Sequence, residues 1–459
     1  MRMCHLCLFV LCCAALLAGP ARTEPLKIVG GALNLTAEAL QRTGLNGRPF
    51  VQVQPEAPKE TQVLHPNKKT PGHQLLRRLY ATGQAAGNHG DLYDNRDRGH
   101  SKLRAPLHPQ MSQILYAPEL RKQEIDYGLP LVMLYDRPVI GNSSTAIRGG
   151  KLKRSLPRLA LTGFGPEGPQ RLFQNYITGQ IHVFPEHRDH DPKAGDLFPA
   201  NTPYYLISQG SSGSDKPHLE ALAMILAAFT PDTKAFLMAK GLLAPTVQMV
   251  FRRSQTGIRT REAYLTGFAH PTVFDAARID LVRMVSLANA LHPKDVPPLV
   301  SLRVIEEGFA RRERLFDTPA AISRIWRSDQ GQHSMVVTTE DTRAPNDQAL
   351  RFEWVVLRGN PDHVRITPLT EDGARAQIEF DWQDPGPVPG QPALITDRVD
   401  IGVFAHNGIH DSAPSFISVM LPRHEARQYS IAPDGRWTFE TRSPRPGHKP
   451  DPLLFPENE

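Results

Sequence analysis

Beyond residue 13 this 459-residue chain has no cysteine: all four, Cys4, Cys7, Cys12 and Cys13, sit in its first segment. With that segment set aside, disulfide staples, thiolate metal sites and a cysteine nucleophile are excluded. Outside the N-terminus the sequence also lacks any apolar run of the ~20 residues that a spanning helix needs. No large excess of one charge marks a nucleic-acid binder, since 53 Lys+Arg stand against 47 Asp+Glu. The cations are dispersed among Pro and Gly rather than interleaved with aromatics. What the chain does have is length enough for two or three cores at ~100–200 residues each. Its composition, 40% hydrophobic and 22% charged, is that of a globular protein.

The N-terminus reads as a signal peptide over 1–21. Arg2 and His5 precede an apolar stretch from Leu6 to Leu17, and Ala18-Gly19-Pro20-Ala21 supplies small residues for cleavage after Ala21. The alternative is a lipoprotein signal built on Cys12 or Cys13. The expected location is secreted or periplasmic, with no membrane span after signal cleavage. Expected partners are a small anionic ligand or a surface glycan, and not nucleic acid.

Charge divides the remainder unevenly. After residue 330 there are 12 basic and 19 acidic residues, and before it 41 and 28, which argues for a domain boundary near 320–335. Residues 22–110, dense in Pro, Gly, Asn and charge, read as an extended arm with one helix near 72–81. Residues 110–320 read as an α/β domain with a mostly parallel sheet and βαβ units. Strands are expected at 129–135, 181–184, 204–207, 246–251 and 299–305, a helix after Asp215, and the longest helix at 272–291. From about 333 the apolar period drops to two, which predicts an antiparallel, immunoglobulin-like β-sandwich over 330–440. A disordered tail is expected at 441–459.

Within that last region Asp341, Asn346, Asp347, Leu350, Phe352 and Trp354 resemble the opening of a PKD-type immunoglobulin-like domain. Val399-Asp400-Ile401-Gly402-Val403, with the turns at Asn407-Gly408 and Asp411-Ser412-Ala413-Pro414, resembles its later strand. Gln348-Ala349 stand where Gly and Asp are common, so calcium binding is not carried over. The whole chain is similar to a family of exported bacterial proteins that pair such a sandwich with a separate N-terminal region. The resemblance implies architecture and no particular chemistry.

Three polar segments are candidates for function. In His182-Val183-Phe184-Pro185-Glu186-His187-Arg188-Asp189-His190-Asp191, imidazoles and carboxylates are the ligand types that suit a divalent metal such as zinc or manganese. An extended backbone would point His187, Asp189 and Asp191 to one side, with His182 and His190 close by; otherwise the segment is a solvated loop. A second cluster, Asp91, Asp94, Asp97 and His100, offers oxygen ligands to calcium, or forms a salt-bridged loop around Arg96 and Arg98. The sharper expectation is that these two segments meet around one metal.

Gly210-Ser211-Ser212-Gly213-Ser214 links a strand to a helix. Its backbone N–H groups and the helix dipole favour an anionic ligand. Asn142 and Ser143 end another strand and are expected to line the same crevice, at the carboxyl edge of the sheet. The leading expectation is a binding protein for an anionic or metal-associated ligand. A metal-assisted hydrolase and a structural or adhesion protein are the alternatives.

Overall fold

The computed structural model of the chain describes residues 24–40, 47–146, 154–187, 189–191, 195–388 and 391–456. The expected signal peptide at 1–21 lies outside the described residues. The N-terminal half is built on an eight-stranded sheet. Its strands in chain order are Leu26–Val29 (β1), Ala32–Leu35 (β2), Val53–Gln54 (β3), Leu92–Arg96 (β4), Ser112–Tyr116 (β5), Val139–Ser143 (β6), Gln180–Glu186 (β7) and Tyr205–Gln209 (β8). The spatial order is β8-β7-β6-β4-β5-β2-β1-β3. All pairings are parallel except the β1–β2 hairpin.

The expected parallel α/β domain is therefore present, but it begins earlier than the composition implies. The stretch 22–110, expected as an arm, supplies β1 to β4, including the strand at the middle of the sheet. The reason is local. β1 to β3 are only two to four residues long, and β4 reads Leu-Tyr-Asp-Asn-Arg, whose polar side chains hide a buried strand.

Helices Leu156–Thr162 (α2) and Glu167–Ile177 (α3) connect β6 to β7 as a right-sized βαβ crossover. Pro71–Ala81 (α1), Lys216–Ala228 (α4), Leu243–Arg253 (α5) and Leu281–Ala290 (α6) pack against one another. α4 is buried at nearly every position from His218 onward, as befits a helix that is apolar all round. Two expectations fail in this layer. The segment 246–251 is helical within α5, because a short apolar run buried on all sides suits helix and strand alike. The helix expected at 272–291 is confined to α6, since residues 272–280 turn back to pair Phe274 with Ser208 and to form a single 3-10 turn.

α1 is fastened to α4 by one carboxylate. Glu220 accepts from Lys68 Nζ and lies 2.6 Å from His73 Nε2. Hydrogen bonds from His73 and Lys68 outweigh burial and hold its carboxyl down at about 2. A depressed carboxyl contributes stability above its unfolded pKa and loses it as pH falls through the folded value. The expected result is that Glu220→Gln costs on the order of 2 kcal/mol at pH 7, and that the difference from wild type shrinks between pH 4.5 and 2. Urea unfolding across that range measures it; a difference constant with pH would refute the assignment.

The C-terminal half holds two facing sheets. One contains Arg303–Glu307 (β9), Gln332–Thr338 (β12), Val364–Pro368 (β14) and Arg375–Asp381 (β15), all antiparallel in the order β9-β12-β15-β14. The other contains Arg314–Thr318 (β10), Ala321–Ile325 (β11), Arg351–Arg358 (β13), Arg398–His406 (β16) and Ser415–Met420 (β17), in the order β10-β11-β17-β16-β13. Its β11–β17 pairing is parallel. Met335, Val337, Ile378 and Phe380 from the first sheet meet Ile322, Ile401, Val403 and Ile417 from the second in one core, with Trp326 and Trp382 edge-on at 5.8 Å.

The second sheet is buried on both faces. Its Phe316, Leu357, Phe404 and Phe416 belong to the same apolar core as α4 and α5, so β16 and β17 are buried almost throughout. The expected disordered tail is also corrected over its described part. Trp437–Pro444 pairs with Glu425–Ile431 as a hairpin, and Leu454 is buried against Ile325 and Met420.

Candidate functional site

β4 has a different chemistry on each face, because successive side chains of a strand point to opposite sides. On one face Asp94 and Arg96 are buried together. Tyr116 donates to Asp94 Oδ1 at 2.8 Å and accepts from Arg96 Nη1 at 3.0 Å. His182 Nε2 lies 3.3 Å from Asp94 Oδ2. These two groups belong to strands that are not neighbours: β6 runs between them, and at that register it carries Gly141. A Cβ at Gly141 would stand 2.6 Å from the His182 ring and 2.4 Å from the Asp94 carbonyl oxygen. The glycine is what lets the imidazole reach across.

Burial of Asp94 is outweighed by Arg96, His182 and Tyr116, which hold its carboxyl below the ordinary range. Burial also lowers His182, against the pull of Asp94. The pair is thus a neutral imidazole donating to a carboxylate whose countercharge is Arg96.

On the other face Tyr93 and Asn95 organise the rim of the sheet. Tyr93 Oη donates to Asn142 Oδ1 at 2.7 Å, Asn95 Nδ2 donates to the same oxygen at 3.0 Å, and Asn142 Nδ2 donates to Asp215 Oδ2 at 2.6 Å. Asn95 also accepts from the Gly99 N–H and donates to the His100 carbonyl, which folds the loop 97–104 over the strand ends. Opposite it, the serine turn leaves β8 with Gly210 and Gly213 at φ of +129° and +96°, a region open to glycine. Gly210 N–H donates to the Glu186 carbonyl, and Ser214 Oγ lies 2.9 Å from Ser208 Oγ. The two loops touch where Ser101 Oγ meets Ser212 Oγ at 3.2 Å.

Beside that contact is a cleft of 310 Å³ whose walls include Asp97, His100, Ser144, Thr145 and Ser212. Burial raises the Asp97 carboxyl, against His100 and Ser144. It also raises Asp215, against hydrogen bonds that include Asn142 and Ser101. Asp215 lies at the start of α4 without capping it, and its Oδ1 is buried with no partner.

The sequence-based candidates therefore scatter. Asp97, His100 and Ser212 meet at the cleft, with Asn142 and Ser143 in the strand beneath it and Ser211, Gly213 and Ser214 in the adjoining turn. Asp94 and His182 do come together, but on the opposite face of β4, since three residues along a strand reverse the side. Asp91 is bound to Lys234 and Asn88 away from that cleft.

His187 is exposed, with its N–H on Glu186 Oε1. Asp189 is buried between Arg398 and Arg358, at 2.9 Å from each. His187 and Asp189 do not share a direction, one being exposed and the other buried, because β7 ends at Glu186. The side chains of His190 and Asp191 lie outside the described residues; their backbone pairs with Gly195–Asp196. Among the described residues no three or more His, Asp or Glu side chains are grouped as a metal site; of the two segments expected to meet around one metal, Asp94 and His182 are the pair brought together.

Tyr93, Asn95 and Asp215 were not singled out as site residues by the sequence reading. Alternation of Tyr93, Asn95 and Asp97 along one strand face was the available signal, and it requires recognising β4 as a strand.

No family model matches this chain, and no curated protein matches it. A solved structure of a nucleoside hydrolase-related hypothetical protein from Saccharophagus degradans, described as associated with carbohydrate metabolism, aligns with 62% of this chain and 71% of that one. The identity is 10% and the TM-score 0.21, a level that carries no argument about fold or activity.

Proposed function

We propose that this chain is an exported binding protein whose strand-end cleft takes a small anionic, hydroxyl-bearing ligand such as an acidic sugar. The observation that carries the reading is the Ser101–Ser212 contact, which draws the loop 97–104 and the serine turn around one cleft with Asp97, His100 and Ser144. Ser144 and Ser212 offer hydroxyls, and the start of α4 contributes a positive dipole end. Asp97, raised by burial, hydrogen-bonds to ligand hydroxyls with less repulsion than an ordinary carboxylate exerts. The sandwich, of PKD type by its motifs, serves as a spacer or interaction module.

The test is thermal unfolding with glucuronate, galacturonate and glucose 6-phosphate. A ligand at about 100 times its Kd adds ~2.7 kcal/mol, a rise of several degrees. Ser212→Ala is expected to keep the unliganded Tm and lose the rise. If no acidic sugar shifts the wild type, the structural or adhesion reading takes its place. N-terminal sequencing of the exported protein checks cleavage after Ala21.

A second reading, hydrolysis in the same cleft, is favoured by Asp97 and Asp215 being two carboxyls raised by burial within electrostatic reach of each other. Such a pair suits general acid and base work. Product release from these sugars' aryl glycosides or esters, with and without added zinc, manganese or calcium, separates it from simple binding.

A further inference from the structure

A second cleft, of 380 Å³, opens where the two halves of the molecule meet, between α2 and the segment after β17. Its walls carry Arg154, Arg158, Arg423 and Lys449, a concentration of cations from three separate stretches of chain, with His424 beside them. Three carboxyl groups share the cleft, and none of them is a free negative charge. Asp196 is consumed by Arg358 at 2.5 Å, Thr396 at 2.7 Å and the Asp397 N–H at 2.7 Å. Asp397 faces Asp196, accepts the Asp196 N–H at 2.9 Å, and is pushed well up by burial and by that neighbouring carboxylate. Asp451 forms an ion pair with Arg154.

Two of the arginines carry an unmatched N–H group. Arg423 Nη1 is buried with no partner, and so is Arg154 Nε. An unpaired buried guanidinium N–H costs about 1–3 kcal/mol or more, and such groups call for an explanation. Asp451 is held by the C-terminal strap, in which Leu454 is buried and Arg327 donates to the Leu454 carbonyl. It presents to the cleft the kind of group that the cleft is built to receive, an oxyanion on a guanidinium.

We propose that this cleft is a binding site for a phosphate or sulfate group, held by Arg423, Arg158 and Lys449, with Asp451 as a tethered competitor for Arg154. The bound group is doubly charged and offers several acceptor oxygens, which suits guanidinium donors converging from different directions. The site is separate from the strand-end cleft and does not depend on the reading given to that cleft.

The experiment is calorimetric titration of the full chain with inorganic phosphate, inorganic sulfate and glucose 6-phosphate at low ionic strength. Arg423→Gln and Lys449→Gln are each expected to weaken phosphate binding roughly tenfold, while Asp451→Asn tightens it several-fold by freeing Arg154. Equal affinity for inorganic phosphate and glucose 6-phosphate identifies a free-ion site; tighter binding of the ester identifies a ligand whose sugar also contacts the cleft. Circular dichroism confirms that each variant is folded. Phosphate binding that survives both Arg423→Gln and Lys449→Gln, or that is lost in Ser212→Ala instead, overturns the assignment, as does the absence of any binding heat in the wild type.

Discussion

Arg398→Met is expected to destabilise the protein by about 3–5 kcal/mol, the range found when one partner is removed from a buried ion pair. Arg398 is wholly buried. Its guanidinium donates to both Asp400 oxygens at 2.8 and 2.9 Å, to both Asp189 oxygens at 3.0 and 2.9 Å, to Thr272 at 2.7 Å, and to the Phe198 carbonyl. Asp400 lies on the same strand of the sandwich sheet, whereas Asp189, Thr272 and Phe198 belong to the α/β half, so the residue is a fastener between the two.

Methionine fills a similar volume but leaves two carboxylates facing one another in an apolar interface. Arg358 remains to neutralise Asp189, and Asp400 is left to the Ser418 hydroxyl alone. Arg398→Lys keeps the charge and loses the double fork, and should fall between. Urea unfolding followed by tryptophan fluorescence reads the effect, because Trp326 and Trp382 sit in the sandwich core. A loss below 1 kcal/mol for Arg398→Met would mean that the apolar contacts of Phe316, Leu357, Phe404 and Phe416 alone hold the halves together.

Gly141→Ala is the second large effect, expected to cost roughly 2 kcal/mol and to abolish ligand binding at the strand-end cleft. Overpacking a filled interior typically costs ~1–3 kcal/mol, and here the Asp94 carbonyl oxygen, 2.4 Å from the added carbon, is backbone and has no rotamer to change. Relief requires β4 and β6 to move apart, which breaks the Tyr93–Asn142 and Asn95–Asn142 hydrogen bonds that order the cleft. His182→Ala is the control. It removes the ring that the new methyl would strike and leaves the backbone clash. The double variant should therefore recover part of the stability and none of the binding. Thermal unfolding of the set, with and without acidic sugar, checks this; wild-type ligand response in Gly141→Ala would show that the strand ends tolerate the shift.

Legibility differed from element to element for reasons that can be named. β7 and β8 were readable because they are short apolar runs bounded by turn residues, and the start of α4 was marked by Lys216-Pro217 after a glycine-serine turn. α5 was not, since a helix buried on every side shows no polar face to set a period of 3.6. β4 was hidden for the opposite reason: its Asp94 and Arg96 are charged yet buried and its Asn95 is half-buried, because Tyr116 and Asn142 on the adjacent strands and His182 one strand further away satisfy them. The serine turn and Asn142 both stand at strand ends, a position readable from the sequence; that Asp97 and His100 join Ser212 at one cleft is a tertiary result. The histidine and aspartate run after β7 misled, because residue type and spacing do not reveal that Asp189 has two arginines from 358 and 398 as its partners.

By itself the chain's chemistry determined a good deal: a cysteine-free body after residue 13, a change from helical to period-two patterning along the chain, and a serine-rich turn ahead of a buried helix. These are local properties, set by composition and by spacing along a few residues; the strands from Arg303 to Ile325 that join the C-terminal sheets ahead of the expected boundary near 330 were not among them. Only the folded molecule decided which charged groups are spent on one another and which are left facing open space. That allocation depends on pairs as far apart as Asp94 and His182, or Asp189 and Arg398, and in a buried interface the free energy of a charge is governed by its partner rather than by its sequence neighbours.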